Sequence, residues 1–291
     1  MFRYLFALLV IGYASCATAV PFASRYALVI EETSGKVLLS KNADITVPIA
    51  SLTKLMTAMV VLDANPDLDE PITVVDPSEL TGARSKTRLT DGGMLPRRTV
   101  LELALISSDN HAAAALAYAY PGGVEAFIAA VAAKVAALGM TRTRIEEPTG
   151  LSGNNRSTAE DLAKMATAAA DYPEIVRITT TSEKIVDVEG RTLEYHNTNR
   201  LVGQGGWDIL LSKTGFTTPA GRCLIMRLKA GGQTAIVVLL NATSLPRRTL
   251  DVFNVRRFLT GERILVAAAE QPSRSLRGRH RFAAKAQTAI M

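Results

Sequence analysis

Apolar and polar positions follow strand periods at both ends of this chain and a helical period through its middle. Residues 26–31 are rich in β-formers, Thr33-Ser34-Gly35 breaks the run, and 36–40 resumes it, which predicts a hairpin. Leu52, Leu55, Met56, Met59 and Val60 keep helical spacing. Val61 and Leu62 widen that stripe, so this helix is expected to be buried on most sides. Val124, Phe127, Ile128, Val131, Val135 and Leu138 fall on one helical stripe, opened by Gly122-Gly123 and ended by Gly139. Ser157 and Glu160 read as a capping box before a helix to about residue 170. Residues 183–192 read as extended. Residues 222–228 and 234–240, separated by Gly231-Gly232, predict a second hairpin, and a helix over 248–259 closes the pattern. No internal repeat is present.

With strands at both ends and helices between, the terminal strands can share one antiparallel sheet with helices on its faces. The central helices form a lobe of their own, and a cleft lies between lobe and sheet. The expected fold is therefore mixed α/β (α+β).

The first residues change where that domain starts. Met1-Phe2-Arg3-Tyr4 precedes an apolar stretch over 5–11 and a small-x-small site at Ala17-Thr18-Ala19, the pattern of a secretory signal peptide. Expected boundaries are a leader over 1–19, a catalytic domain over 20–262 and a basic tail over 263–291. No later stretch approaches the ~20 apolar residues of a membrane span. The tail lacks an apolar face for stable anchoring.

Charge adds little beyond the tail. The formal net charge is +6, but Arg274, Arg277, Arg279, Arg281 and Lys285 stand beyond residue 270 with no acid among them, and Arg3 lies in the leader. The region between is close to neutral, which argues against a nucleic-acid face. Cleavage after Ala19 removes Cys16, so Cys223 has no partner for an internal disulfide; its apolar setting reads as a buried small hydrophobe. His111, His196 and His280 are scattered, so neither a metal nor another cofactor is expected.

Three short motifs carry chemistry. Ser51-Leu52-Thr53-Lys54 places a serine three residues before a lysine, a spacing that no other serine here shares. A serine hydroxyl needs a base beside it, and on a helix these two positions share a side. Burial can lower a lysine's pKa enough for it to serve. Ser108-Asp109-Asn110 falls between two apolar runs: the serine can relay a proton, and the asparagine can orient the lysine or a substrate amide. Lys213-Thr214-Gly215 stands at an expected strand edge, where the lysine adds charge that can hold Lys54 neutral. Threonine can bind a carboxylate or amide there, and glycine admits a substrate backbone. Taken singly, each motif reads more simply as a helix cap or a surface turn; in this order behind an export signal they point to serine acyl transfer.

These motifs, with Glu147-Pro148-Thr149-Gly150-Leu151, Asn197-Thr198-Asn199 and Phe216-Thr217, resemble the low-molecular-mass penicillin-binding proteins of the D-alanyl-D-alanine carboxypeptidase family, over roughly residues 25–260. Pro121-Gly122-Gly123, Trp207 and Ala220-Gly221-Arg222-Cys223-Leu224 are most similar to its D-alanyl-D-alanine endopeptidase branch, typified by penicillin-binding protein 7. The resemblance implies a β-lactamase/DD-peptidase-like fold and a periplasmic enzyme acting on peptidoglycan stem peptides, with β-lactams as inhibitors. It implies Ser51 as nucleophile, Lys54 as base, Ser108 as proton relay and Asn110 as a positioning group. Lys213, Thr214, Gly215 and Phe216 would bind substrate, and the amides of Ser51 and Phe216 would form the oxyanion hole. The family's carboxypeptidases carry a C-terminal β-rich domain and an anchor helix, which the roughly 30 residues after Gly261 do not match. A class A β-lactamase would need a Glu-x-x-Leu-Asn pattern, absent here, and a non-catalytic wall-binding protein should lack one of Ser51, Lys54 or Lys213.

Overall fold

Both sheet faces are covered, and that explains the unusually apolar C-terminal strands. In the computed structural model, which describes residues 20–188 and 190–265, the chain opens with β1 (Tyr26–Glu31) and β2 (Val37–Lys41), the expected hairpin. The leader and residues 266–291 of the tail lie outside the described residues. After β3 (Val47–Pro48), a 3-10 turn over Ala50–Leu52 runs into α1 (Thr53–Asp63). The helical lobe follows: β4 (Pro71–Thr73), α2 (Ser78–Thr81), β5 (Met94–Pro96), α3 (Arg97–Ile106), α4 (Asn110–Tyr118), α5 (Gly123–Ala137), β6 (Arg156–Ser157), α6 (Ala159–Ala169) and α7 (Pro173–Thr179). The chain then forms β7 (Glu183–Val188), β8 (Arg191–His196), β9 (Asp208–Thr217), β10 (Gly221–Ala230), β11 (Gln233–Ala242) and α8 (Leu245–Leu259).

Five strands form one antiparallel sheet in the order β2-β1-β11-β10-β9. Alternate side chains of β10 and β11 feed two cores. Cys223, Ile225, Ile236, Val238 and Leu240 face the helical lobe, whereas Leu224, Met226, Leu228, Val237 and Leu239 face α8. Neither face meets water, so β11 carries six consecutive buried apolar residues. Val20 and Phe22 join the α8 side, packing the chain into the fold immediately after the expected cleavage site.

Helix α1 is the axis of the lobe: Thr53 through Val61 are all buried, and α3, α4, α5, α6 and α7 touch it. Three expectations shift. The cap of α6 is Thr158, whose Oγ1 accepts from Asp161 N at 3.1 Å, because Ser157 is already engaged in β6 opposite Val47. The extended run at 183–192 is half of a ribbon, β7 pairing with β8 through residue 196. Helix α8 begins at Leu245, three residues early, with Ser244 as its cap. Among the described residues no single helix is long and apolar enough to cross a membrane.

Candidate active site

Ser51, the expected nucleophile, sits on a clamped corner. Ala50 holds φ +47, a left-handed conformation that costs a non-glycine residue free energy, and Ser51 follows it in the same 3-10 turn. Two glycines press on this corner. A Cβ on Gly150, whose own φ is +85, would stand 2.0 Å from Ala50 O. A Cβ on Gly215 would stand 3.0 Å from Ile49 O and 3.1 Å from Ser51 N. The protein's own backbone therefore crowds Gly215, a reason for glycine additional to the room a substrate strand needs.

Lys54 follows one turn later and is 1% exposed. Its Nζ lies 3.1 Å from Ser51 Oγ, 2.6 Å from Asn110 Oδ1 and 2.7 Å from Thr149 O. The geometry suits a base. The amide oxygen and the carbonyl can only accept, so they take the two N–H groups of a neutral amine, and its lone pair is left facing Ser51 Oγ. Burial pushes the Lys54 pKa down to about 8, against the opposing pull of Glu147 and then Asp109. Of the two causes expected from the sequence, burial is the one that acts; the charge of Lys213 is not among the influences on Lys54.

Glu147 was not singled out by its chemistry in the sequence. Its buried carboxylate accepts from Thr149 N (2.7 Å), Thr149 Oγ1 (2.6 Å), Gly150 N (2.6 Å) and Asn155 Nδ2 (3.0 Å). It folds the loop that aims Thr149 O at Lys54. Both oxygens are thus committed to the loop, which leaves no free carboxylate there to activate water.

The second wall is the break between α3 and α4. Ser108 has φ +62, and Asp109 caps α4 by accepting from Ala112 N at 3.0 Å. That cap turns Asn110 inward: its Oδ1 meets Lys54 and its Nδ2 donates to Ser85 Oγ at 2.7 Å. His111 is buried with Nε2 3.4 Å from Ser85 O and does not line the cavity.

Edge strand β9 supplies the third wall, with Lys213-Thr214-Gly215 inside the strand rather than at its start. Lys213, 1% exposed, donates to Ser108 Oγ at 2.8 Å and Thr214 O at 2.9 Å. Burial, then Lys54 and Arg248, push its pKa well below the usual lysine range. Thr214 Oγ1 donates to Thr198 Oγ1 at 2.7 Å. Between these walls lies a cavity of about 510 Å³ lined by Ser51, Ser108, Asn110, Thr214, Gly215 and Phe216.

Three arginines that the sequence reading gave no role also line it: Arg200, Arg222 and Arg248. They come from the β8–β9 connection, β10 and α8, so no spacing in the sequence announces their meeting. Among the described residues no aspartate or glutamate lines the cavity. Cys223 is fully buried, its thiol pushed up to about 11 by burial, as expected of a packing residue. His196 also lines the cavity, and it shares one exposed face of the β7–β8 ribbon with Glu183 and Glu194, one ligand atom of each lying within 4.8 Å of the others. The scattered spacing of the histidines gave no sign of that trio, and nothing in the catalytic arrangement calls on it.

The chain matches the family model described as D-alanyl-D-alanine carboxypeptidase over residues 14–244. It is 47% identical over 264 residues to a D-alanyl-D-alanine endopeptidase of Pseudomonas aeruginosa, covering 89% of this chain and 84% of that protein. It is 40% identical over 280 residues to one from Escherichia coli, covering 95% and 90%. Relatives named D-alanyl-D-alanine carboxypeptidase match at 28% to 30%. Among solved structures, the Streptomyces K15 DD-transpeptidase superposes with a TM-score of 0.77 at 29% identity, over 84% of this chain and 99% of that one. Penicillin-binding protein D2 of Listeria monocytogenes, in its ampicillin-bound form, gives 0.69 at 26% identity, over 82% and 98%. The chain belongs to the D-alanyl-D-alanine carboxypeptidase family and is a serine-type D-Ala-D-Ala peptidase.

Proposed function

We propose that this enzyme is a periplasmic DD-endopeptidase that cuts the peptide cross-links of peptidoglycan between D-alanine and the side-chain amine of a diamino acid. The observation that carries the choice is an identity gap: three relatives with the endopeptidase name match at 34% to 47%, against 28% to 30% for the five carboxypeptidase-named relatives above. Residues 1–19 act as the export signal, and the mature protein starts at Val20. The basic tail gives weak, salt-screened attraction to the anionic wall.

Ser51 Oγ attacks the D-alanyl carbonyl, and its proton passes to the lone pair of Lys54 Nζ. The developing oxyanion lies against the amides of Ser51 and Phe216, at the corner that Gly150 and Gly215 clamp. Asn110 keeps Lys54 in line. The intermediate collapses to an acyl ester, and the leaving amine takes a proton through Ser108, which Lys213 holds. Thr214 and the buried Arg248 receive the carboxylate beside the leaving amine. Water then releases the acyl group from Ser51. A β-lactam enters by the same first step and stays as the ester.

The test is a competition on purified muropeptides, with products resolved by mass. Cross-linked dimers should become monomers faster than pentapeptides lose their terminal D-alanine. Fast trimming with persistent dimers would show a carboxypeptidase instead. Penicillin labelling should map to the Ser51 peptide and vanish in Ser51→Ala.

A further inference from the structure

The cavity holds more positive charge than one carboxylate needs. Arg248 is 6% exposed and spends one nitrogen on Cys223 O at 3.2 Å, while its Nε has no hydrogen-bond partner among the described residues. Arg222 is half-buried; its guanidinium stands 3.9 Å from the centre of the Phe216 ring, which is 52% exposed at the lip. Arg200 is exposed on the opposite connection. Neither Arg200 nor Arg222 pairs with an acid among the described residues, and the positive charge of Arg222 bears on Arg248. Three guanidinium groups thus line one cavity without a paired acid among the described residues, and Lys213 lies buried behind its Ser108 wall. Like charges gathered without a partner are unfavourable, and an anionic ligand relieves them.

We infer that Arg200 and Arg222 form a second carboxylate site, separate from the one at Arg248 and Thr214, that holds the acceptor stem peptide of a cross-link. This rests on the endopeptidase reading. A terminal D-alanine leaves with one carboxylate, which the floor accommodates. The leaving half of a cross-link carries that carboxylate beside its amine and also the free C-terminus of the acceptor stem. Guanidinium groups suit such a partner because they bind carboxylates through two parallel hydrogen bonds. The Phe216 ring seats Arg222 at the lip, where the longer leaving group must exit.

The experiment compares dimers whose acceptor stem ends in a free carboxylate with the same dimers amidated there. Wild-type kcat/KM should favour the free form by about tenfold to a hundredfold, the range for one charge-assisted contact. In the Arg200→Gln, Arg222→Gln double variant that ratio should fall to near one, and Arg222→Lys should keep part of it. Equal wild-type rates on the two dimers would overturn the site, as would a ratio that the double variant preserves. The endopeptidase reading is judged apart from this, by wild-type rates on dimers against pentapeptides.

Discussion

Two buried lysines stand on opposite walls of one cleft, and their surroundings differ in sign. Lys54 has two fixed acceptors beside Ser51 Oγ and feels the carboxylates of Glu147 and Asp109, which hold its pKa up against burial. Lys213 has Ser108 Oγ and Thr214 O, and the charges that bear on it are the cations Lys54 and Arg248. The Lys54 side is electrostatically complete in the free enzyme. The Lys213 side is unfinished, and on the reading we propose it is completed by an anion that arrives with the substrate. Chemistry is preorganised on one wall; recognition is left open on the other.

Exchanging each lysine for alanine should separate these roles. Lys54→Ala removes the amine beside Ser51 Oγ and should slow penicillin acylation by about 10²–10⁴-fold, the usual cost of a lost general base. Lys213→Ala should raise KM for anionic stem peptides as well as lower the rate. Stopped-flow acylation and steady-state kinetics on the same two variants decide it. A Lys54→Ala enzyme that acylates at the wild-type rate would give the base role to another group.

The complete wall was the more legible one in the sequence. The Ser51–Lys54 spacing sits on a helix whose apolar pattern continues past it, so pattern and chemistry announced the same element. The glycine reasons were not legible: Gly150 is required by Ala50 O and Gly215 is crowded by Ile49 O, contacts that span long stretches of chain. Glu147 read as part of a motif without a mechanism, since its donors are mostly backbone amides. On the unfinished wall the lysine triplet was visible, but the arginines converge from three separate segments. In the fold, long strands and helices followed from periodicity. The short pairs β3–β6 and β4–β5, of two and three residues, are too brief to show a period. The cap at Thr158 was misplaced by one position because Ser157 is equally suited to capping and is drawn away by its strand partner.

The clamp on the preorganised wall can be loosened directly. Gly150→Ala places a methyl group 2.0 Å from Ala50 O and forces alanine to φ +85. The Ser51 corner must move, and displacements near 1 Å can cost about 10²-fold in rate. Gly215→Ala meets contacts of 3.0–3.2 Å and should cost less. Gly153→Ala, in the same loop as Gly150 but with open space around it, should stay within about 0.5 kcal/mol of wild type in stability. Thermal melts and acylation rates on the three variants rank the contacts. Wild-type acylation by Gly150→Ala would show that the corner is not held there.

The smallest expected effect tests the sign of the field on Lys54. A general base must be neutral, and with a pKa of about 8 the neutral form is roughly a tenth of the enzyme at pH 7. Acylation should therefore rise about tenfold from pH 7 to a plateau above pH 9, and fall as acid protonates Lys54. Asp109→Asn removes one of the two negative charges that hold this pKa up. Asparagine is an equally good cap, so Ala112 N keeps its acceptor, and the amide can donate to Thr87 Oγ1, which stands 2.7 Å from Asp109 Oδ2. With the fold kept and the charge gone, the inflection should move below 8, and acylation at pH 7 should increase by up to about tenfold, the limit set by complete deprotonation. An inflection that stays in place would mean that Asp109 acts only as a cap. One that moves upward would reverse the assignment of complete and unfinished walls, because Lys54 would then be governed by the cations across the cleft.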